Sequence, residues 1–166
     1  MNPDNSENES LKLLQKAAAT LKGEEKTAVI YFSLTGNTEK AAKLIGNITD
    51  ADCYKIKSLN LPKFAWLFLS LVPPIIWRFV RIPITIEPAL KLTDYRNIAL
   101  GFPKWGFTCP PIASFIKKEK FQGKQVLPFM TYGGWDYERF YNKMCSTIKK
   151  KGAAIPMKLL IKRNTI

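Results

Sequence analysis

The sequence predicts an α/β fold, a doubly wound parallel sheet with helices on both faces. Five segments with strand character alternate with segments of helical periodicity along the 166 residues, which is the pattern of repeated βαβ units. Hydrophobic residues make up 46% of the chain and charged residues 23%, a composition typical of a globular domain. A chain of this length can bury one proper core, so we expect a single such domain.

The first 26 residues are expected to precede the sheet as a polar tail and an amphipathic helix. Residues 1–9 are polar and read as a disordered tail without an apolar stretch, so no signal peptide is expected. Ser10 is suited to cap a helix over about 10–22. The predicted buried stripe of this helix is Leu11, Leu14, Ala18 and Leu21.

The first strand is predicted at Thr27 to Phe32, an apolar run rich in β-branched and aromatic residues. A hydroxyl-rich turn follows it and leads into a helix whose apolar stripe begins at Ala41. The turn, which we call the phosphate turn, consists of Ser33, Leu34, Thr35, Gly36, Asn37 and Thr38. Free N–H groups at a helix N-terminus suit an anion, although a plain βα loop with ordinary caps remains an alternative. The spacing matches neither the P-loop nor the dinucleotide motif.

An unusual apolar stretch follows the second strand, which is predicted at Ala51 to Lys57 as an exposed edge strand. Phe64 to Trp77 contains no charge and includes Pro73-Pro74. A helix of this length spans about 21 Å, less than the roughly 30 Å of a bilayer core. Two interpretations stay open: a crossover packed on the sheet, or an apolar surface at Phe64 to Val80 that contacts a membrane or a hydrophobic partner.

Three further strands complete the predicted sheet. They are assigned to Asn97 to Phe102, Gln125 to Met130 and Ala153 to Ile161, with helices at 112–119 and 136–150 between them. Pro128 is awkward within a strand because proline lacks a ladder donor. The loops after the first, third and fourth strands should meet at one edge of the sheet, where parallel α/β folds bind ligands.

Three segments in this order resemble the flavodoxin family. They are Tyr31 to Thr38, Gly101 to Pro111 and Thr131 to Trp135, and the whole resemblance covers residues 27–165. It implies a flavodoxin-like doubly wound five-stranded parallel sheet of order 2-1-3-4-5 and an FMN cofactor. The expected organisation is a polar tail and an amphipathic helix over 1–26, followed by a flavodoxin-like domain over 27–166 with an apolar insertion at 61–83.

The family pattern, carried over by residue, implies that the phosphate turn binds the FMN phosphate. Two further loops would border the isoalloxazine ring, and we call them the first and second ring loops. The first ring loop consists of Pro103, Lys104, Trp105 and Gly106, and the second of Thr131, Tyr132, Gly133 and Gly134. Aromatic faces suit ring stacking, and glycine lets backbone amides approach the polar edge of a flavin.

Several features depart from the family pattern. Gly106 stands where many relatives have a second tryptophan, which would leave the flavin more open, and Lys104 adds a cation that should raise the flavin potential. Only five residues follow the last predicted strand, whereas flavodoxins normally close with a helix there. We therefore expect the helix at 10–22 to occupy that face of the sheet. Typical flavodoxins are also acidic, whereas residues 27–166 carry 22 bases against eight acids.

These features favour FMN-dependent electron transfer with an acidic partner, such as a ferredoxin or a reductase, or at an anionic membrane. The chain has no histidine, so triads, metal ligands and general bases that use histidine are excluded. No catalytic residue or metal is assigned, and the chain is either an electron carrier or an FMN-dependent oxidoreductase.

Two alternatives are a membrane-associated flavin-dependent reductase or oxidase of a lipophilic substrate, such as a quinone or porphyrin, and a binding module without flavin. No nucleic-acid motif accompanies the lysines, so a nucleic-acid partner is not expected. The three cysteines are odd in number and show no metal-type pairing in their spacing, which favours a reducing compartment without a disulfide framework. We expect a cytoplasmic location, with peripheral contact to the inner face of the membrane as the alternative.

Overall fold

The computed structural model describes residues 3–21, 25–59, 65, 68–69, 71–72, 82–104, 106–134, 136–163 and 165. Four helices are present in these ranges: α1 Pro3–Ala19, α2 Asn37–Thr49, α3 Pro110–Lys118 and α4 Tyr137–Lys149. The strands are β1 Thr27–Tyr31, β2 Asp52–Ser58, β3 Ile84–Glu87, β4 Asn97–Pro103, β5 Gln125–Tyr132 and β6 Leu159–Lys162. No helix in the described ranges is long and apolar enough to cross a bilayer.

The six strands form one sheet of order β3-β2-β1-β4-β5-β6. Every neighbouring pair is parallel except β2 and β3, which are antiparallel. The five parallel strands have the predicted order, so the predicted α/β fold is confirmed. The prediction that β2 is the edge strand was wrong. β3 pairs with β2, with Ile86 opposite Ile56, and forms the edge of the sheet instead.

Helices cover both faces of the sheet, each over its own apolar core. On one face α1 and α2 pack against side chains of β1, β4, β5 and β6, such as Val29, Ala99 and Leu127. On the other face α3 and α4 pack against the alternate side chains of the same strands, such as Ile30 and Leu100. Because successive strand residues point to opposite faces, the continuous apolar runs of the strands are buried on both.

The N-terminal helix lies against the sheet, on the face that the sequence predicts for it. Leu14, Ala17 and Leu21 are buried in the same core as α2 and β6. The helix begins at Pro3, so most of the segment predicted to be a disordered tail is helical instead. Leu11, which is predicted for the buried stripe, is 41% exposed, whereas Ala17, which is not predicted for it, is buried.

Pro128 lies inside β5 beside a gap in the pairing with β6. A single bridge joins Gln125 to Ala154, and regular pairing resumes only at Phe129 and Leu159. The Tyr141 hydroxyl fills this gap: it donates to Pro128 O at 2.7 Å and accepts from Leu159 N at 3.2 Å. A side chain therefore satisfies the carbonyl of Pro128 and the amide of Leu159 where the β5–β6 ladder is interrupted, so neither backbone group lacks a partner beside this proline.

Candidate functional site

The loops that follow β1, β4 and β5 meet at the carboxyl edge of the sheet. Thr38, at the start of α2, and Thr131, at the end of β5, share a hydrogen bond of 2.7 Å between their hydroxyl oxygens. Lys104 N, in the first ring loop, donates to Thr131 O at 2.8 Å. Thr131 thus connects all three predicted loops, as their positions after neighbouring parallel strands lead one to expect.

The phosphate turn is closed by its own polar groups and leaves an open space above Gly36. Gly36 N donates to Ser33 Oγ at 3.1 Å, and Asn37 Nδ2 donates to Thr35 Oγ1 at 3.3 Å. Gly36 has a φ of 92°, and a Cβ built on it meets no atom within 4 Å. The turn therefore needs glycine for its backbone conformation, and the space beside it is free for a bound group.

Helix α2 begins directly at this turn and directs its first N–H groups towards it. Lys40 N is the first to bond in the helical manner, to Gly36 O at 2.9 Å. The preceding N–H groups of a helix have no partner within it, and they carry the positive end of its dipole. Ser33, Leu34 and Asn37 are half-buried and Thr35 is exposed, so the turn offers donors to an anion from solvent. Thr38, in contrast, is buried and paired with Thr131.

The only acid in the first turn of α2, Glu39, is paired with two lysines. Glu39 pairs with Lys55 at 2.7 Å and with Lys43 at 3.2 Å. The hydrogen bond from Lys55 lowers the pKa of Glu39, against the opposing effect of burial. Burial and the Glu39 carboxylate raise the pKa of Tyr31 to about 12, so this phenol at the end of β1 stays neutral. The negative charge of Glu39, next to the turn, is therefore balanced by two lysines.

The first ring loop, which continues from β4, is half-buried. Pro103, Lys104 and Gly106 are partly accessible, and Phe107 beside them is 53% exposed. Trp105, which was predicted to border the ring, lies outside the described residues. An exposed phenylalanine next to Gly106 gives this loop an apolar face towards solvent.

The second ring loop is held by two residues that the sequence analysis did not select, Tyr137 and Arg163. The rings of Tyr132 and Tyr137 stack with centroids 4.0 Å apart. Arg163 N donates to Tyr132 O at 2.6 Å, and the Arg163 guanidinium lies 3.0 Å from the position of a Cβ on Gly133. Burial, and then Tyr137, raise the pKa of Tyr132. Gly133 and Gly134 are exposed, so their backbone groups are accessible to a ligand.

The described part of the chain offers few groups for acid–base catalysis or for metal binding. No set of three His, Cys, Asp or Glu side chains is grouped closely enough there to hold a metal ion. Complete burial raises the pKa of Cys109 to about 12, so its thiol is neutral. The site formed by the three loops is thus built from hydroxyls, backbone amides, aromatic rings and cations.

Sequence comparison matches this chain to a family and to an archaeal relative. The profile of the flavodoxin family matches residues 79–165, more than half of the chain. An uncharacterized protein from Archaeoglobus fulgidus is 35% identical over 136 residues, which cover 82% of this chain and 85% of that protein.

Solved structures with the same fold include flavoproteins. A flavoprotein from Lactobacillus acidophilus, solved in complex with FMN, has a TM-score of 0.70 at 19% identity, over 82% of this chain and 93% of that one. A candidate flavoprotein from Bacteroides uniformis has a TM-score of 0.68 at 28% identity, over 86% and 92%. These structures share the arrangement of strands and helices that places the three loops at one edge.

Proposed function

Because this chain belongs to the flavodoxin family, we propose that it binds FMN at the three converging loops and transfers electrons with it. FMN supplies the redox chemistry when bound, since its isoalloxazine ring takes up and releases electrons. The protein contributes binding, orientation and electrostatics. The observation that carries the proposal is the pair of contacts at Thr131, to Thr38 and to Lys104, which joins the three loops into one site.

The phosphate turn fits the phosphate group of FMN. The first N–H groups of α2 and the hydroxyls of Ser33 and Thr35 can donate to a group bound in the open space at Gly36. Such a set of donors binds a dianion through dipoles and hydrogen bonds and requires no lysine. The acid of this helical turn, Glu39, is paired with lysines. Thr38 contributes to phosphate binding indirectly, because its hydroxyl bonds to Thr131 and so fixes the turn in place.

The two ring loops fit the flat ring of FMN. Gly133 and Gly134 carry no side chain that would keep the ring from the backbone, and Arg163 holds their loop through its bond to Tyr132 O. Lys104 places a cation in the first ring loop. A cation there would stabilise the negative charge of the reduced ring and so raise the reduction potential.

An acidic protein is the partner that best suits this chain. Residues 27–166 carry 22 bases against eight acids, and the exposed bases include Arg139, Lys143 and Lys149 on α4 and Lys150 directly after it. Charge complementarity speeds encounter and orients the partner. The electron partner we propose is therefore an acidic protein, such as a ferredoxin or an acidic reductase.

Flavin binding provides the direct test. We expect the purified chain to bind FMN and quench its fluorescence, and to bind riboflavin more weakly because riboflavin lacks the phosphate. Thr35→Ala should weaken FMN binding about tenfold, the effect of losing one charge-assisted hydrogen bond, while leaving riboflavin binding unchanged. Thr147→Ala, on the exposed face of α4, is the matched control. Equal affinity for FMN and riboflavin would refute the assignment of the turn.

A second candidate function is a reductase or oxidase that receives a lipophilic substrate at a membrane surface. Two apolar side chains of the 61–83 insertion are strongly exposed, Phe68 at 68% and Leu71 at 48%. Flotation with vesicles of phosphatidylglycerol and phosphatidylcholine tests this candidate. Phe68→Asp should abolish flotation, whereas Leu13→Asp, at a leucine 40% exposed on α1, should not. A chain that does not float at all would rule out the membrane role.

A further inference from the structure

A cavity of about 240 Å³ opens between the first ring loop and the first two turns of α4. We call it the α4 cavity. Its lining residues are Gly106, Phe107, Asp136, Arg139, Phe140 and Lys143. Gly106 belongs to the first ring loop, and Asp136 follows the second ring loop by two residues. The cavity therefore lies beside the proposed flavin site but is formed by different side chains.

Two cations lie on one wall of the α4 cavity. Arg139 and Lys143 are four residues apart on α4, so their side chains share one face of the helix. Both are exposed, and neither side chain forms a hydrogen bond or ion pair with another residue in the described ranges. Glu138, their neighbour, pairs with Lys158 at 3.6 Å. Asp136 is the single acid of the lining, so the cavity carries a positive charge in excess.

Two aromatic rings, Phe107 directly after the first ring loop and Phe140 from α4, supply the apolar part of the lining. Phe140 is only 5% exposed and packs against Phe102, with ring centroids 6.2 Å apart, so its position is fixed by the core. Phe107, in contrast, exposes 53% of its surface. A flat apolar molecule placed there would cover this ring and remove its surface from water.

We propose that the α4 cavity binds a small, flat, apolar molecule that carries one anionic group, with its body against Phe107 and Phe140 and its charge between Arg139 and Lys143. The volume lies below the roughly 300 Å³ at which pockets for drug-sized ligands begin, which favours a ligand of one or two rings. An apolar wall with a few convergent polar groups is the usual composition of a ligand site. Only the position of this ligand beside FMN, and not its binding, rests on the proposed function.

The probe for the test is 2-naphthoate, with 2-naphthamide as its uncharged counterpart of nearly equal shape. Equilibrium dialysis against the full chain, with and without FMN, measures both affinities. We expect the carboxylate to bind more tightly than the amide. Arg139→Gln and Lys143→Gln should each weaken naphthoate binding about fivefold, the effect of one partly exposed ion pair. Asp136→Asn should strengthen it, because it removes the one repulsive charge from the lining.

Asp136→Asn is suitable because asparagine tolerates the positive φ of 55° found here, and the Asp136 side chain makes no cap hydrogen bond that would be lost. Lys149→Gln, in the last turn of α4, is the control and should leave binding unchanged. Equal affinity for carboxylate and amide, or no response to the three lining variants, would overturn the proposal. Failure of FMN binding with retained naphthoate binding would refute the proposed function alone, because dialysis without FMN reports on the cavity by itself.

Discussion

Thr38 and Thr131 share a hydrogen bond of 2.7 Å between their hydroxyl groups although 93 positions separate them in the sequence. Both side chains are buried, at 1% and 5% exposure. The bond fixes the first turn of α2 to the end of β5, so the phosphate turn and the second ring loop are held together before any ligand arrives. Such preorganisation reduces the ordering cost of binding.

Removal of one of these hydroxyls should destabilise the protein and loosen the site. Thr38→Val leaves Thr131 Oγ1 buried without its partner, at a cost of about 1–3 kcal/mol in the free energy of unfolding. The double variant with Thr131→Val should cost less than the sum of the two single variants, because no polar group is then left alone. Urea unfolding of all four proteins measures this coupling. Strict additivity would show that the two hydroxyls do not stabilise one another.

The tyrosine beside Pro128 provides a second prediction. Tyr141→Phe removes the hydroxyl that serves both Pro128 O and Leu159 N, so two buried backbone groups lose a partner. We expect the free energy of unfolding to fall by about 1–3 kcal/mol. Faster hydrogen exchange of the Leu159 amide than in the wild type would locate the effect. Tyr137→Phe, on the same helix but half-buried, is the comparison and should cost less.

Two neighbouring leucines of α1 test whether this helix is part of the core. Leu14 is fully buried between α2 and β6, and Leu14→Ala should cost about 2–5 kcal/mol. Leu13 is 40% exposed, and Leu13→Ala should change the stability by less than about 1 kcal/mol. Thermal unfolding of both variants gives the comparison. Equal melting temperatures for the two would mean that α1 does not contribute to the folded domain.

The cation of the first ring loop should set the flavin potential. Lys104→Leu removes a positive charge from the proposed ring site, and we expect the two-electron potential of the bound flavin to fall by roughly 30 mV. Potentiometry on the FMN-loaded protein measures the change. Lys118→Leu, at an exposed lysine in the last turn of α3, is the control and should leave the potential where it is. A potential that does not fall in Lys104→Leu would remove the tuning role.

The sheet could be predicted because its strands are continuous apolar runs. β1, β4 and β5 are buried on both faces, so almost every residue in them is apolar and the segments stand out from the helices. β3 escaped prediction although Ile84, Thr85, Ile86 and Glu87 alternate as an edge strand should. Four residues after a long apolar stretch give too weak a pattern, and only the pairing with β2 reveals them.

The candidate site, too, could be predicted in part from local sequence, whereas its other features depend on tertiary contacts. The turn and the two loops follow strands, so position along the chain was enough to select them. The contacts that hold them were not predictable. Thr131 and Arg163 meet their partners only after the strands are ordered side by side, and Tyr137 stacks on Tyr132 only after the loop between β5 and α4 has folded. Arg163 gave one usable signal, since it follows the last strand at the same edge of the sheet as the ring loops.

Acid should weaken the domain partly through Glu39. The hydrogen bond from Lys55 holds the pKa of this carboxyl below its ordinary value of 4.5. Burial raises this pKa, and the bond from Lys43 lowers it further. Its folded pKa is therefore lower than its unfolded pKa. The stabilisation is complete above about pH 4.5 and is lost as the pH falls through the lower, folded value.

We expect Glu39→Gln to lower the free energy of unfolding by up to about 1 kcal/mol at pH 7, since both partners are partly exposed. The difference from the wild type should shrink below pH 4.5 and disappear once Glu39 is protonated in the folded state as well. Urea unfolding from pH 7 down to pH 3 measures it. Glu138→Gln, whose pair with Lys158 is longer and more exposed, should show a smaller difference. A difference for Glu39→Gln that stays constant with pH would mean that the lost stability comes from packing and not from the charge.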